Sequence, residues 1–290
     1  VSIILRTLIV TAADENFSGL LRGLVGSLQQ WEVQPYTALA CFDLDLAPAT
    51  RDWIGRHAAH VVEPGWDLPV DQALRSAQPY LRALTVRPFL PRYFPGYDVY
   101  LWIDSDAWVQ DQSAIETYVT AAASGAIAVV SHAHPAYQHS AGNMNWRAQR
   151  AKAYFAMDPG MSVPRDQYWN AGIFALAAKA PHWQQWAHYF ALGLAATDGR
   201  LCCDQTALNQ AIRVERLPVA ALPAPYNWLC HLALPAFDET RQCLCDPLDQ
   251  QTALGIIHLT ANSKNLVCRL RGDALGRKLS LCYPPGLLKS

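Results

Sequence analysis

Residues 99–108 read VYLWIDSDAW, so five apolar residues run directly into two carboxylates, Asp104 and Asp106, one residue apart. An uninterrupted apolar run of this length, ended by polar residues, reads as a buried β-strand. Side chains at i and i+2 of a strand share a face. Two hard oxygen donors are therefore expected to meet at a strand end, where a divalent cation can bridge them to a diphosphate.

The segments around this strand alternate in period. TLIVTA (7–12) reads as a strand, and FSGLLRGLVGSLQQW (17–31) carries apolar residues at helical spacing. PYTALACFDLDL (35–46) reads as a strand ending in acids, RDWIGRHAA (51–59) as a helix and HVVEP (60–64) as a short strand. The stretch 71–94 reads as helical, with breaks at Pro79 and Pro88. Beyond the two acids, IETYVTAAASG (115–125) reads as a helix closed by Gly125, and AIAVVSH (126–132) as another strand. Strands alternating with helices predict an α/β fold whose mostly parallel central sheet is flanked by helices. Ligands of such sheets bind beyond the carboxyl ends of the strands, where Ala13, Asp43 and Asp104 fall. The segment HAHPAYQHSAGNMNWRAQR (132–150) is polar, aromatic and His-rich without a clear period, and it reads as a loop or excursion over the site.

Bulk properties narrow the function classes. The 290 residues, 51% hydrophobic, supply enough apolar material for a sizeable core in one large domain or two small ones. A net charge of −1 gives no case for general nucleic-acid binding. No run of 18 apolar residues is present, so no transmembrane helix is expected. The opening VSIILRTLIV is too short for a span and reads as a first core strand, not a leader. Seven of the eight cysteines lie between Cys202 and Cys282, without the paired spacing of a zinc site. Reduced, buried thiols in a cytoplasmic protein are the expectation. After Lys264 the chain turns basic, with Arg269, Arg271, Arg277, Lys278 and Lys289 against Asp273. This tail, 266–290, is expected to pack on the domain as a helix. The alternative is a peripheral contact with the inner face of a membrane through Leu279, Leu281 and Leu287.

Three further places carry chemistry. His258 follows the apolar run LGII (254–257), and Lys264 comes six residues later. An imidazole beside two carboxylates makes a mixed nitrogen–oxygen site suited to Mn²⁺ (or Mg²⁺), and Lys264 offers a point charge to a phosphate. A lone histidine at a strand end also serves packing or a single hydrogen bond. YWNAGIFAL (168–176) places Asn170 at a polar-to-apolar change beside Ala171 and Gly172, residues small enough for a ligand to approach the backbone. LCCDQTALNQAI (201–212) puts Asp204 and Gln205 at the entrance of a helix, where the helix dipole by itself favours a carboxylate.

Together these motifs resemble the retaining glycosyltransferases of family 8. AADENF (12–17) resembles that family's uracil-binding opening and DSD (104–106) its metal motif. NAG (170–172) and DQ (204–205) resemble its donor-sugar segments, and HLTANSK (258–264) its HxxGxxK motif, in the family's order along the chain. The resemblance implies a nucleotide-diphosphosugar transferase fold of the GT-A type over 1–265, with an acceptor excursion at about 132–168 and a basic tail at 266–290. It implies that Ala12, Ala13, Asp14, Asn16 and Phe17 hold the uridine, and that Asp104, Asp106 and His258 bind the cation. Arg87, Ser105, Ala171, Gly172 and Lys264 would contact the donor, while Asn170, Asp204 and Gln205 would face the transferred sugar. The implied reaction moves a hexose from a UDP-sugar to a hydroxyl of a glycan, lipid-linked glycan or protein. The acceptor proton would pass to a diphosphate oxygen, and Gln205 is expected to stabilise charge on the sugar because an amide is a poor nucleophile. The family's glycine between His and Lys is Ala261 here, which restricts φ > 0 and predicts an altered loop.

Three other readings stand beside this one. A haloacid-dehalogenase-type phosphatase also places D-x-D at a strand end, but it carries Thr or Val where Trp108 stands. A nucleotidyltransferase shares the fold type, but it calls for a Gly-rich basic loop near the N-terminus that the sequence lacks. A catalytically inactive relative that binds a glycan or a partner would retain the fold and lose turnover.

Overall fold

The computed structural model describes residues 5–30, 37–156, 164–273 and 279–283. From the N-terminal side the chain runs β1 (Thr7–Ala13), α1 (Ser18–Gln29), β2 (Thr37–Asp43), α2 (Pro48–Gly55) and β3 (His60–Val62). A broken helical stretch follows, α3 (Gln72–Ala77), α4 (Arg82–Val86) and α5 (Leu90–Tyr93), then β4 (Val99–Ile103) and β5 (Ala107–Val109). The next elements are α6 (Ser113–Ala123), β6 (Ile127–Ser131), α7 (Ala141–Phe155), β7 (Trp169–Ala177), α8 (His182–Ala196), α9 (Asp204–Glu215) and β8 (Val219–Leu222). Short strands complete the order: β9 (Trp228–Leu229), β10 (Ala236–Asp238), β11 (Cys243–Cys245), β12 (Ile256–His258), β13 (Val267–Cys268) and β14 (Leu279–Ser280).

Seven strands form the central sheet in the order β3-β2-β1-β4-β7-β6-β8. Its pairings are parallel, except that β7 runs against both of its neighbours, β4 and β6. The apolar run of β4 is buried along its whole length because both faces are covered. Leu101 and Ile103 enter one core with Leu24 of α1 and Tyr118 of α6, while Tyr100 and Trp102 enter the other with Trp186 and Phe190 of α8. This is the mixed, mostly parallel α/β sheet flanked by helices that the alternating periods predict. Among the described residues no helix is long and apolar enough to cross a membrane.

Several elements differ from expectation. The helix at 51–59 starts earlier, at Pro48, whose fixed φ suits the first turn, and it ends at Gly55. The excursion is not a loop throughout, because α7 spans fifteen residues. The Ser140 hydroxyl caps it by accepting from the Asn143 N–H, and Tyr154 is its buried residue, so no apolar stripe marks it in the sequence. Tyr154 packs where α8 has Gly193, whose added Cβ would lie 2.0 Å from the tyrosine ring. The described part of the tail pairs as β13 and β14 and forms no helix there. Leu287, and Arg277 and Lys278 of the basic run, lie outside the described residues.

The last described residues lie against α1. The Trp108 Nε1–H donates to the Leu281 carbonyl at 2.9 Å, and the Tyr283 ring sits 5.5 Å from the Trp108 ring. Gly23 and Gly26 make room for Tyr283, since a Cβ on either would come within 3.3 Å of it. The Cys282 thiol meets the Lys264 carbonyl at 3.0 Å.

Candidate metal centre

Two short strands bring the distant imidazole to the acid pair. Asp104 lies one residue past β4, and Asp106 lies in a turn closed by the Ala107 N–H on the Asp104 carbonyl at 2.9 Å. The carboxylates therefore converge through a turn and not through strand alternation, which corrects the expected route. β5 follows at once and pairs with β12, setting His258 directly opposite Ala107. The Leu259 N–H then bonds the Asp106 carbonyl at 2.8 Å, locking the two segments together.

Each side chain is held by one end and offers the other. Asp104 Oδ1 accepts from Trp102 Nε1 at 2.7 Å and from Arg87 Nη2. Asp104 Oδ2 faces His258 Nε2 at 3.7 Å. Asp106 Oδ2 takes the Lys264 ammonium at 2.6 Å, while its Oδ1 lies 3.2 Å from His258 Nε2. Donor atoms of the three residues lie within 4.8 Å of one another. A six-coordinate cation with bonds near 2.1 Å sets neighbouring donors about 3 Å apart. The donor set and its spacing fit a divalent cation of the hard, oxygen-preferring kind.

Burial makes this cluster electrostatically tense. For Asp104, burial and then the neighbouring Asp106 charge raise its carboxyl against the pull of Arg87. For Asp106, burial also acts upward, but His258 and Lys264 outweigh it and hold the carboxyl at about 2. Arg87 bridges Asp104 and Asp204, the latter at 2.5 Å, and these charges raise its guanidinium despite the opposing effect of burial. Gly172 forms the floor. Its N–H reaches Asn170 Oδ1 at 3.0 Å, its carbonyl accepts from the Asp104 N–H at 2.9 Å, and an added Cβ would lie 2.5 Å from the His258 ring.

A cavity of about 590 Å³ opens beside the cluster. Ala12, Ala13, Asp14, Phe17, Ser105, Asp104, Asp106 and Lys264, all expected site residues, line it. Asn16 is exposed and is not among the lining residues. Asn170, Ala171, Asp204, Gln205 and Arg87 form a layer behind the cluster instead. Gln205 Oε1 accepts from the Ala171 N–H at 3.0 Å and from Asn170 Nδ2 at 3.3 Å, so its oxygen is already engaged. Ala261 adopts φ 50°, so the loop keeps a glycine-like backbone without a glycine.

Sequence reading missed four contributors. Tyr80 and Leu84 line the cavity although they sit in the broken helical stretch. Trp102 is one more residue of the apolar strand in the sequence, yet it tethers Asp104 and lies under the Arg87 guanidinium at 4.8 Å. Asn227, fully buried ahead of β9, bonds His258 Nδ1 through Oδ1 at 2.9 Å. Buried asparagine is rare enough to be a signal, but burial is not visible in the sequence at this position. A second cavity, of about 890 Å³, takes Ala261, Asn262 and Ser263 into its lining. Among the described residues it is lined by Gln138, Asn143, His231, Leu232, Leu234, Leu248 and others, none of them Asp, Glu, Lys or Arg.

No protein-family model and no curated protein matches the sequence. Solved structures do match in fold. Galactosyltransferase LgtC, in complex with donor and acceptor sugar analogs, superposes with a TM-score of 0.56 at 18% identity over 88% of each chain. The bifunctional glycosyltransferase WbbM in its apo form gives 0.57 at 14% identity, over 91% of this chain and 48% of that one. An active-site mutant of LgtC gives 0.53 at 17% identity, over 97% of this chain and 92% of that one. The chain thus has the α/β fold found in these glycosyltransferases.

Proposed function

We propose that this chain is a metal-dependent glycosyltransferase of the family 8 kind, which moves a hexose from a UDP-sugar to an acceptor hydroxyl with retention. The observation that carries this reading is the meeting of Asp104, Asp106 and His258 at the wall of a cavity that Lys264 also lines. A bound divalent cation, Mn²⁺ or Mg²⁺, supplies Lewis-acid neutralisation of charge on a diphosphate. Lys264 adds a point charge beside it, and preorganised electrostatic help of this kind is worth about 3 kcal/mol per donor group. Phe17, Tyr80, Leu84 and Trp102 give the cavity the apolar walls that a nucleobase and ribose require.

The layer behind the cluster suits the sugar. Arg87 holds Asp104 and Asp204 in place, so Asp204 is a positioning carboxylate in this reading and not a free base. The engaged oxygen of Gln205 leaves the NH₂ end of its amide to meet the transferred sugar. The acceptor proton goes to a diphosphate oxygen of the departing nucleotide. The second cavity, with amide and hydroxyl groups among Leu and Pro side chains, suits an uncharged glycan acceptor. Burial is the main cause that lowers His231 in its wall to about 4, so it adds no charge there at pH 7.

The test is a panel of UDP-hexoses with the purified protein and Mn²⁺, read by thermal shift and slow UDP release. A cation-dependent shift and release with one or two donors is expected, and Asp106→Ala removes both. A shift without release identifies the inactive binding relative. No response to any nucleotide-sugar overturns the reading.

A further inference from the structure

The geometry points to Asn227 as a positioning residue of the metal centre, one that fixes the tautomer and orientation of His258. The argument begins at two backbone N–H groups, which can only donate. The Gly172 N–H reaches Asn170 at 3.0 Å, so the Asn170 atom there is Oδ1. The Ala171 N–H reaches Gln205 at 3.0 Å, so that atom is Oε1, and Asn170 Nδ2 donates to the same oxygen at 3.3 Å. Asn170 Oδ1 also receives Asn227 Nδ2 at 3.0 Å. With its NH₂ end committed there, Asn227 presents Oδ1 to His258 Nδ1 at 2.9 Å. An amide oxygen only accepts, so Nδ1 must carry the proton. That leaves Nε2, the atom that faces Asp104 and Asp106, as the ring nitrogen available to a cation.

The relay crosses between two sheets. Asn170 belongs to β7 of the central sheet, whereas Asn227 precedes β9, which runs parallel to β12 and pairs Leu229 with His258. Asn170, Asn227 and His258 are all more than nine-tenths buried, so no water competes for these bonds. Outer partners of this type hold a ligand histidine ready, and their loss typically costs ten- to hundredfold in metal affinity. The inference rests on reading Asp104, Asp106 and His258 as a cation site. It adds that the sugar-facing amides and the cation ligand share one hydrogen-bond chain.

Mn²⁺ binding to the nucleotide-free protein, measured by titration calorimetry, tests it, together with the His258 tautomer read from ring ¹⁵N shifts of the metal-free protein. Wild type should show Nδ1–H. Asn227→Leu should lose that tautomer and bind Mn²⁺ about ten- to hundredfold more weakly. Asn227→Asp still accepts from Nδ1 but cannot donate to Asn170, so it should keep the Nδ1 proton and bind Mn²⁺ more tightly than Asn227→Leu, even if the leucine variant folds poorly. In a His258→Ala background, Asn227→Leu should weaken Mn²⁺ no further, since Asn227 acts through the ring. Equal affinity for Asn227→Leu and wild type, an additional loss in the His258→Ala background, or a wild-type ring without a proton on Nδ1 would each overturn the proposal. If wild type binds no Mn²⁺, the cation reading fails, and the tautomer measurement still judges the relay.

Discussion

Gly172 and His258 face each other so closely that a methyl group on the glycine would lie 2.5 Å from the imidazole Cε1 and 2.6 Å from Asp104 Oδ2. No backbone strain requires this glycine, because its φ is not among the positive values. Space alone requires it. Gly172→Ala should therefore push His258 and Asp104 apart and reduce Mn²⁺ affinity by at least an order of magnitude, with the protein still folded by circular dichroism. Unchanged calorimetric affinity in that variant would mean that the floor yields more readily than packing density implies.

Arg87 is the hub of a buried charge triad, with Asp104 on one side and Asp204 on the other. Removing it strands the buried Asp204 carboxylate and takes from Asp104, a quarter exposed at the cavity wall, its guanidinium partner. Arg87→Met should destabilise the metal-free protein by about 3–5 kcal/mol, the range for breaking a buried pair by deleting one partner. Arg87→Lys should recover part of this, because one ammonium cannot span both acids as a guanidinium fork does. Urea unfolding decides the matter, and a loss below about 1 kcal/mol for the methionine variant would contradict the triad's role.

Ala261 holds φ 50°, a conformation that costs an alanine about 1–2 kcal/mol and a glycine far less. Part of that gain is offset by the freedom glycine adds to the unfolded chain. Ala261→Gly should raise stability by about 0.5–1 kcal/mol, seen as a higher melting temperature, and leave the Mn²⁺ affinity within twofold. A lower melting temperature would show that the strain is relieved elsewhere.

Asp106 makes a signed prediction about pH. Its folded carboxyl is held at about 2, below the ordinary value near 3.9. A depressed acid stabilises the fold above its unfolded pKa, and that contribution is lost as pH falls through the folded value. The stability gap between wild type and Asp106→Asn, measured without metal, should therefore be widest above pH 5 and narrow by about 2 kcal/mol between about pH 4 and pH 2. Parallel stability curves across that window would refute the assigned pull of His258 and Lys264.

What the sequence discloses here depends on how local the cause is. The strands at 99–103 and 126–132 are legible because burial on two faces leaves an unbroken apolar run. The acids and His258 are legible as residue types at strand ends and Lys264 by its six-residue spacing from His258, although the turn that joins Asp104 to Asp106 is not. α7 is illegible because its inward face carries Arg147 and Tyr154 where a core helix would carry an apolar stripe. Arg147 is spent on His132 Nδ1 at 2.5 Å, a pairing of residues fifteen apart that no spacing rule foretells. Asn227 is illegible for a stronger reason: its partners sit 57 residues before it and 31 after it, and only the pairing of β9 with β12 makes them neighbours.

The contact of Cys282 with the Lys264 carbonyl, and of Tyr283 with the glycines of α1, gives the cavity lysine a back wall borrowed from a segment beyond β14. A protease that clips before Leu281 would thus disarm the cavity without touching a residue that lines it.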